Sequence, residues 1–274
     1  MKIYPVIHFL DRKTAWDQAE IIKHCGADGV FLINHFGDDI QVLDIAWEIK
    51  QRYMNDDFAI GINLLNTMPS VAARFTIQNG LDMIWADDMG VSSQGLTDEG
   101  IIVSALAQGT PEVKFFASVA FKYHRAESDP VLAVYNATNA GFIATTSGAA
   151  TGSAPDLAKI IDMSYGGNSV LAIASGMTPD NISKYAPYLS YVLVATGVSK
   201  NDYCVDEDKL KTFIINARGH ETKPADPKPV DPKQQTYIAI ADALDQAARN
   251  IDTSSGISSV PSQLQDMADE WRSK

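Results

Sequence analysis

The chain has 274 residues, enough for one large domain or two small ones with a sizeable core. Hydrophobic residues make up 46% and charged residues 20%, the ordinary balance of a globular protein. A formal net charge of -12 with no basic run argues against a nucleic-acid surface, which needs clustered Lys and Arg to meet phosphates.

The N-terminal stretch MKIYPVIHFLDRK has one lysine ahead of a short apolar run and no small-residue cleavage site, so it reads as a first strand and not as a signal peptide. From there, short apolar runs alternate with helical patterns. The strand candidates are KIYPVIHF (2–9), GVFLIN (29–34), FAIGINLL (58–65), DMIWADD (82–88), KFFASVAF (114–121), GFIATT (141–146), SVLAIAS (169–175) and YVLVAT (191–196). The runs are nearly continuous in apolar character, as expected for parallel strands covered on both faces.

Helices with one apolar face fill the gaps. Val42, Ile45, Ala46, Ile49 and Tyr53 fall at helical spacing, and Leu210, Phe213, Ile214 and Ala217 repeat the pattern. Gly26, Gly80 and Gly141 each stand just ahead of a strand, where a left-handed residue closes the preceding helix. Eight strand-helix units over about 220 residues predict a (β/α)8 TIM barrel, a fold of about 250 residues. An open doubly wound sheet is the competitor, but no GxGxxG follows the first strand.

In a barrel of this kind, function sits at the C-terminal ends of the strands. The residues there are His8, Asn34, His35, Asp38, Asn63, Asn66, Asp87, Asp88, Lys122, His124, Thr145, Thr146, Ser147, Ser175 and Thr196. The segment ASGMTPDNI (174–182) places Ser175 and Gly176 after the seventh strand, with Thr178 expected as an N-cap and Pro179 as the first helical residue. VATGVSKND (194–202) places Thr196 and Gly197 after the eighth, with Lys200 nearby. Turns in these positions, together with a nearby helix N-terminus, hold phosphate groups in other barrels through backbone N–H groups. Ser175, Gly176, Thr196 and Gly197 are therefore the expected phosphate site, the glycines being bare to let the ligand approach. The loop SGAATGSAPD (147–156) is a candidate lid.

Catalytic candidates are Asp38, Asp87, Lys122 and His124. The aspartates could supply a general base, a Mg2+ site or hydrogen bonds to ribose hydroxyls; no other cofactor is indicated. Adjacent Asp87 and Asp88 cannot both point into the barrel while the strand continues. Lys122 could form a Schiff base or neutralise a phosphate, and the second role is favoured at this level. His8, Asn34, Asn63, Thr146, Ser147, Gly148 and Thr151 are the expected substrate-binding residues. His8, His35 and His124 lack HExxH-type spacing, so no zinc site is expected. Trp85 reads as packing. Cys25 and Cys204 lie far apart and outside any CxxC spacing, which fits small buried residues in a reducing, cytoplasmic setting. No run approaches the roughly 20 apolar residues of a membrane span.

Several blocks together resemble the BtpA/SgcQ-like proteins, a family with a predicted TIM-barrel fold and poorly defined activity. The resemblance runs from about residue 2 to about residue 216 and rests on NHFGDD, GINLLN, TDEGII, KYH, SGAATGSAPDL, ASGMTPDNI and VATGVSKND followed by VDEDKLKTFI. It implies family-typical positions at Phe36, Gly37, Asp38, Asn63, Thr97, Asp98, Gly100, Lys122, His124, Gly148, Thr151, Gly152, Ser175, Gly176 and Lys200. The chain also departs from the family. The proline-rich segment usual after the first strand is absent, Asn34 or His35 replaces an acid, and Ser118 replaces an Asp within the fifth strand. If those acids are catalytic in the family, the activity here differs or is lost.

Beyond residue 220 the composition changes. ETKPADPKPVDPKQQ (221–235) reads as an extended linker, and residues 236–274 as a helical extension with Tyr237, Ile240, Ala241, Leu244, Ala248 and Ile251 on one face. Isolated helices of this length are marginal, so a homo-oligomer or docking on the barrel is expected. The sequence as a whole predicts an enzyme acting on a small phosphorylated sugar- or nucleotide-like ligand, by lyase, isomerase, or glycosyl or phosphoribosyl transfer chemistry. The alternative is a non-enzymatic assembly or regulatory factor that senses a ligand and binds partners through its C-terminal arm.

Overall fold

A computed structural model of the chain describes residues 1–35, 38–123, 127–150, 152–165, 170–201, 203–219 and 266–267. The chain divides into two units, Met1–Pro224 and Ala225–Lys274. The expected linker (221–235) and helical extension (236–274) lie outside the described residues, apart from Asp266 and Met267.

The first unit begins with β1 (Lys2–His8), α1 (Arg12–His24), β2 (Gly29–Ile33), α2 (Asp39–Arg52), β3 (Ala59–Asn63), α3 (Pro69–Gln78) and β4 (Met83–Ala86). A small hairpin of β5 (Val91–Ser92) and β6 (Gly95–Leu96) precedes α4 (Asp98–Gly109), β7 (Lys114–Ser118), α5 (Pro130–Asn139), β8 (Ile143–Thr146) and α6 (Leu157–Tyr165). The series ends with β9 (Leu171–Ala174), α7 (Ile182–Tyr185), β10 (Tyr191–Val194), a second hairpin of β11 (Ser199–Asn201) and β12 (Cys204–Val205), and α8 (Glu207–Arg218). Eight of these strands close a barrel in the order β1-β10-β9-β8-β7-β4-β3-β2, each pairing parallel to its neighbours. This is the TIM barrel that the alternating pattern predicts. Neither hairpin was expected.

Two apolar layers hold the barrel together. The outer layer lies between strands and helices, and it takes the predicted faces: Val42, Ile45, Ala46 and Ile49 of α2 and Leu210, Phe213, Ile214 and Ala217 of α8 are buried. The inner layer is unusually aromatic for an interior commonly filled by branched aliphatics. Phe31 sits edge-on to Phe116 at 5.3 Å, to Trp85 at 6.2 Å and to Tyr4 at 6.0 Å, and Tyr191 closes the group against Phe116 at 5.2 Å. Gly61 of β3 makes this possible, because a Cβ there would run into the Phe31 ring. Trp85 packs in this layer, with its Nε1–H donating to Ser118 Oγ at 3.1 Å.

The helix-to-strand turns follow a repeated local rule. Gly26, Gly80 and Gly141 all take left-handed conformations, with φ of +85°, +63° and +83°. In two of these turns an aspartate follows, and each reaches the strand before it. Asp28 accepts from the Ile3 N–H at 2.9 Å, and Asp82 accepts from the Ile60 N–H at 2.8 Å. Lys2 and Arg218 add cations to Asp28, and Lys50 adds one to Asp82. These carboxylates stitch neighbouring strands at the N-terminal end of the barrel, the end that serves stability in this fold.

Candidate functional site

At the opposite, C-terminal end, a cavity of about 270 Å³ opens between the strand ends. Its floor is the top of the aromatic layer, with Trp85 and Phe121 beside Val6, Ile33 and Leu193. Its rim is polar. His8 ends β1, Asp87 follows β4, Lys122 follows β7, Ser175 and Gly176 follow β9, and Thr196 and Gly197 follow β10; all seven line the cavity. His35 and Tyr123 also line the cavity, and the rings of His8 and His35 are 4.9 Å apart.

Asp38, Asn34, Asn63, Thr146, Ser147 and Gly148 are not among the described residues that line the cavity. Asp38 is the N-cap of α2, its carboxylate accepting from the Gln41 N–H at 3.0 Å. Asn34 and Asn63 are buried at the ends of β2 and β3. Asn63 donates from Nδ2 to Asp87 Oδ1 at 3.2 Å, so it orients the aspartate that faces the cavity. Asp88 turns away and accepts from the Gly90 N–H at 2.7 Å. The strand has ended at Ala86, so the two adjacent aspartates are divided by their hydrogen-bond partners, Asn63 for one and the Gly90 turn for the other. His124 and Thr151 lie outside the described residues, as do Phe36 and Gly37.

Thr146 and Ser147 act through the preceding loop, the one after β7, while Gly148 lies against the Ser153 carbonyl. The Thr146 hydroxyl donates to the Ala120 carbonyl at 3.2 Å, and Ser147 Oγ accepts from the Lys122 backbone N–H at 2.8 Å. Lys159 of α6 completes the network, donating to the Ala120 carbonyl at 2.8 Å and the Ser147 carbonyl at 3.2 Å. Burial pushes the Lys159 pKa down, and the two carbonyls solvate its ammonium in place of water. No pattern in the sequence marks Lys159, because it bridges the loop ahead of its own helix to the Ala120 carbonyl in the loop of the preceding strand-helix repeat. Lys122 is also held below the ordinary lysine pKa by burial, with the Asp87 carboxylate acting in the opposite direction.

The glycine turns need a different explanation from the one their position suggests. Gly176 has φ of +79° and Ser175 has φ of +89°, so the turn is left-handed at both residues. A Cβ at Gly176 would press into the Ser153 carbonyl and stand 2.6 Å from the Ala154 Cα. A Cβ at Gly197 would overlap the Met177 carbonyl oxygen. Protein backbone, not open ligand space, fills the place of both missing side chains. The expected lid therefore lies packed along the seventh turn: the Gly152 N–H donates to Ser175 Oγ at 3.2 Å, and Tyr185 donates to the Pro155 carbonyl at 2.8 Å. The helix expected to start at Pro179 instead starts at Ile182 and runs four residues. The Asn181 side chain braces the turn instead of capping the helix, accepting from the Thr178 N–H at 2.8 Å and donating to the Gly176 carbonyl at 2.9 Å.

Among the described residues no group of three or more His, Cys, Asp or Glu side chains is placed to hold a metal ion. No helix among them is long and apolar enough to cross a membrane.

The fold defines a class, the TIM barrels with a polar rim at the C-terminal strand ends. No family model and no curated protein matches the chain. Solved structures do. The thiamine phosphate pyrophosphorylase of Pyrococcus furiosus is similar with a TM-score of 0.58 and 10% identity, over 80% of this chain and 96% of that one. The phosphoribosyl anthranilate isomerase of Thermus thermophilus is similar with a TM-score of 0.57 and 13% identity, over 79% and 98%. A 3-hexulose-6-phosphate synthase gives 0.59 and 14%, over 79% and 99%. At these identities the likeness shows the fold.

Proposed function

We propose that the chain is an enzyme that takes a small phosphorylated sugar- or nucleotide-like molecule into the cavity above the aromatic layer. The observation that carries this reading is the meeting, on one wall, of the turns after the seventh and eighth barrel strands. Ser175, Gly176, Thr196 and Gly197 offer hydroxyl and backbone groups there, and Lys122 and Asp87 complete the rim. The structural relatives named above carry phosphate compounds in their names, which supports the same substrate class. The cavity lies just below the roughly 300–1,000 Å³ of drug-sized ligand sites, so a compact sugar phosphate suits it better than a dinucleotide. Asp87, oriented by Asn63, is the candidate general base. Membership of the BtpA/SgcQ-like family belongs to this proposal and rests on the sequence blocks. Of those, TDEG has a structural role: Thr97 caps α4 by accepting from the Gly100 N–H at 3.2 Å.

Calorimetric titration of the full chain with inorganic phosphate, ribose 5-phosphate, phosphoribosyl pyrophosphate and nucleoside monophosphates tests the reading. Thr196 is exposed on the rim, so Thr196→Glu places a negative charge there without disturbing the core. At least one phosphorylated compound is expected to bind the parent and to weaken by about tenfold or more in the variant, corresponding to about 1.4 kcal/mol. Failure of all of them to bind, or equal affinity for the variant, would overturn the phosphate site.

A further inference from the structure

The loop carrying Lys122 is held more tightly than charge placement alone requires. Ala120 and Tyr123 bracket it with φ of +47° and +62°, left-handed conformations that cost non-glycine residues free energy. Three hydrogen bonds to the loop oppose that cost, and a fourth ties its partners to the loop after β8. Thr146 and Lys159 hold the Ala120 carbonyl, Lys159 also holds the Ser147 carbonyl, and Ser147 Oγ holds the Lys122 N–H. Strained backbone fixed by its surroundings in this way marks a position whose geometry is used. Its product is a lysine side chain on the cavity wall, over Phe121 at 5.7 Å from the ring centre and beside Trp85.

A lysine that binds phosphate by charge works best where water and anions keep it protonated. Lys122 has the reverse surroundings: burial disfavours its ammonium. A partly desolvated amine is a nucleophile toward carbonyl carbon. Asp87 shares the cavity and is near enough for its charge to act on Lys122, while Asn63 occupies one carboxylate oxygen.

We propose that the substrate is a carbonyl compound, and that Lys122 captures it as a Schiff base with Asp87 carrying the proton. The ammonium gives one proton to Asp87. The freed nitrogen lone pair then attacks the carbonyl carbon, a C–N bond forms, and a second nitrogen proton moves to the oxygen to give a neutral carbinolamine. Asp87 returns its proton to the hydroxyl, the C–O bond breaks, and water leaves. The sum converts the ammonium and carbonyl into a protonated imine and water, with charge unchanged. The inference rests on the reading that this cavity takes a small phosphorylated ligand, whose phosphate would face the Ser175 and Thr196 turns.

The test is reductive trapping on the full chain. The protein is incubated with sodium cyanoborohydride and either dihydroxyacetone phosphate or dihydroxyacetone, and the labelled lysine is located by peptide mass spectrometry. With dihydroxyacetone phosphate, Lys122 is expected to label about tenfold or more above any surface lysine, since burial favours the neutral amine and the cavity holds the carbonyl beside it. Inorganic phosphate should suppress that labelling. Lys122→Arg, checked for folding by circular dichroism, should lose it. Asp87→Asn keeps the lysine and should slow labelling by about a hundredfold, as loss of a proton carrier does. Labelling of Lys122 no faster than surface lysines, in protein that still binds phosphate by calorimetry, would overturn the Schiff base and leave the phosphate site standing. Equal Lys122 labelling by both compounds, insensitive to phosphate, would support the Schiff base and overturn the phosphate reading. An unchanged rate in Asp87→Asn would overturn the assigned proton transfer.

Discussion

Replacing Gly176 with Ala separates two reasons for a bare turn. The residue is left-handed, which costs an alanine about 1–2 kcal/mol. Its new methyl group would also press into the Ser153 carbonyl and crowd Ala154, and overpacking of this sort costs about 1–3 kcal/mol. Together these predict a loss of about 2–5 kcal/mol, a large share of the roughly 5–15 kcal/mol that holds a typical domain together. Two controls isolate the parts. Gly26 has φ of +85° but no atom within 4 Å of a built Cβ, so Gly26→Ala should lose only the strain, about 1–2 kcal/mol. Gly197 lies outside the left-handed region yet abuts the Met177 carbonyl, so Gly197→Ala should show only the clash, about 1–3 kcal/mol. Urea unfolding followed by near-ultraviolet circular dichroism, with linear extrapolation, measures all three. If Gly176→Ala costs no more than Gly26→Ala, the loop after β8 does not pack against the turn as described, and the glycine is free to serve a ligand.

The carboxylate stitches at the far end of the barrel give a pH-dependent prediction. Burial pushes the Asp28 carboxyl upward, but the Ile3 amide with the Lys2 and Arg218 cations outweighs burial and leaves its pKa below the ordinary value. A carboxylate with a depressed folded pKa adds stability that is complete above its unfolded pKa of about 3.9 and is lost as pH falls through the folded value. Asp28→Ala should therefore cost about 2–3 kcal/mol at pH 7, by urea unfolding, and the gap from the parent should narrow as the pH falls below about 3.9. A gap that stayed constant in acid would show that the charge is not the source. Lys159→Met removes two hydrogen bonds to loop carbonyls and should cost about 1–3 kcal/mol. It should also reduce trapping at Lys122 in protein that remains folded, a result that simple loss of packing elsewhere would not produce.

Much of the barrel is decided by short-range pattern. All eight barrel strands fall within the apolar runs, because a strand covered on both faces must be apolar at nearly every position. The faces of α2 and α8 and the left-handed turns at Gly26, Gly80 and Gly141 are equally local, set by helical spacing and by the steric freedom of glycine. The rim residues His8, Asp87, Lys122, Ser175 and Thr196 are legible for a related reason: once the fold is a TIM barrel, strand ends converge on one opening.

Tertiary structure alone decided how those residues divide their work. Asp38 became a helix cap and Asp87 a cavity wall, although both are acids following a strand. Thr146 and Ser147 turned to the loop that carries Lys122, and Lys159 joined them from α6. The glycines at 176 and 197 answer to backbone from other loops, which no local motif records. Each of these outcomes depends on which segments meet across the closed sheet, and hydrogen bonding and packing at that range follow from barrel closure and not from the neighbours of a residue along the chain.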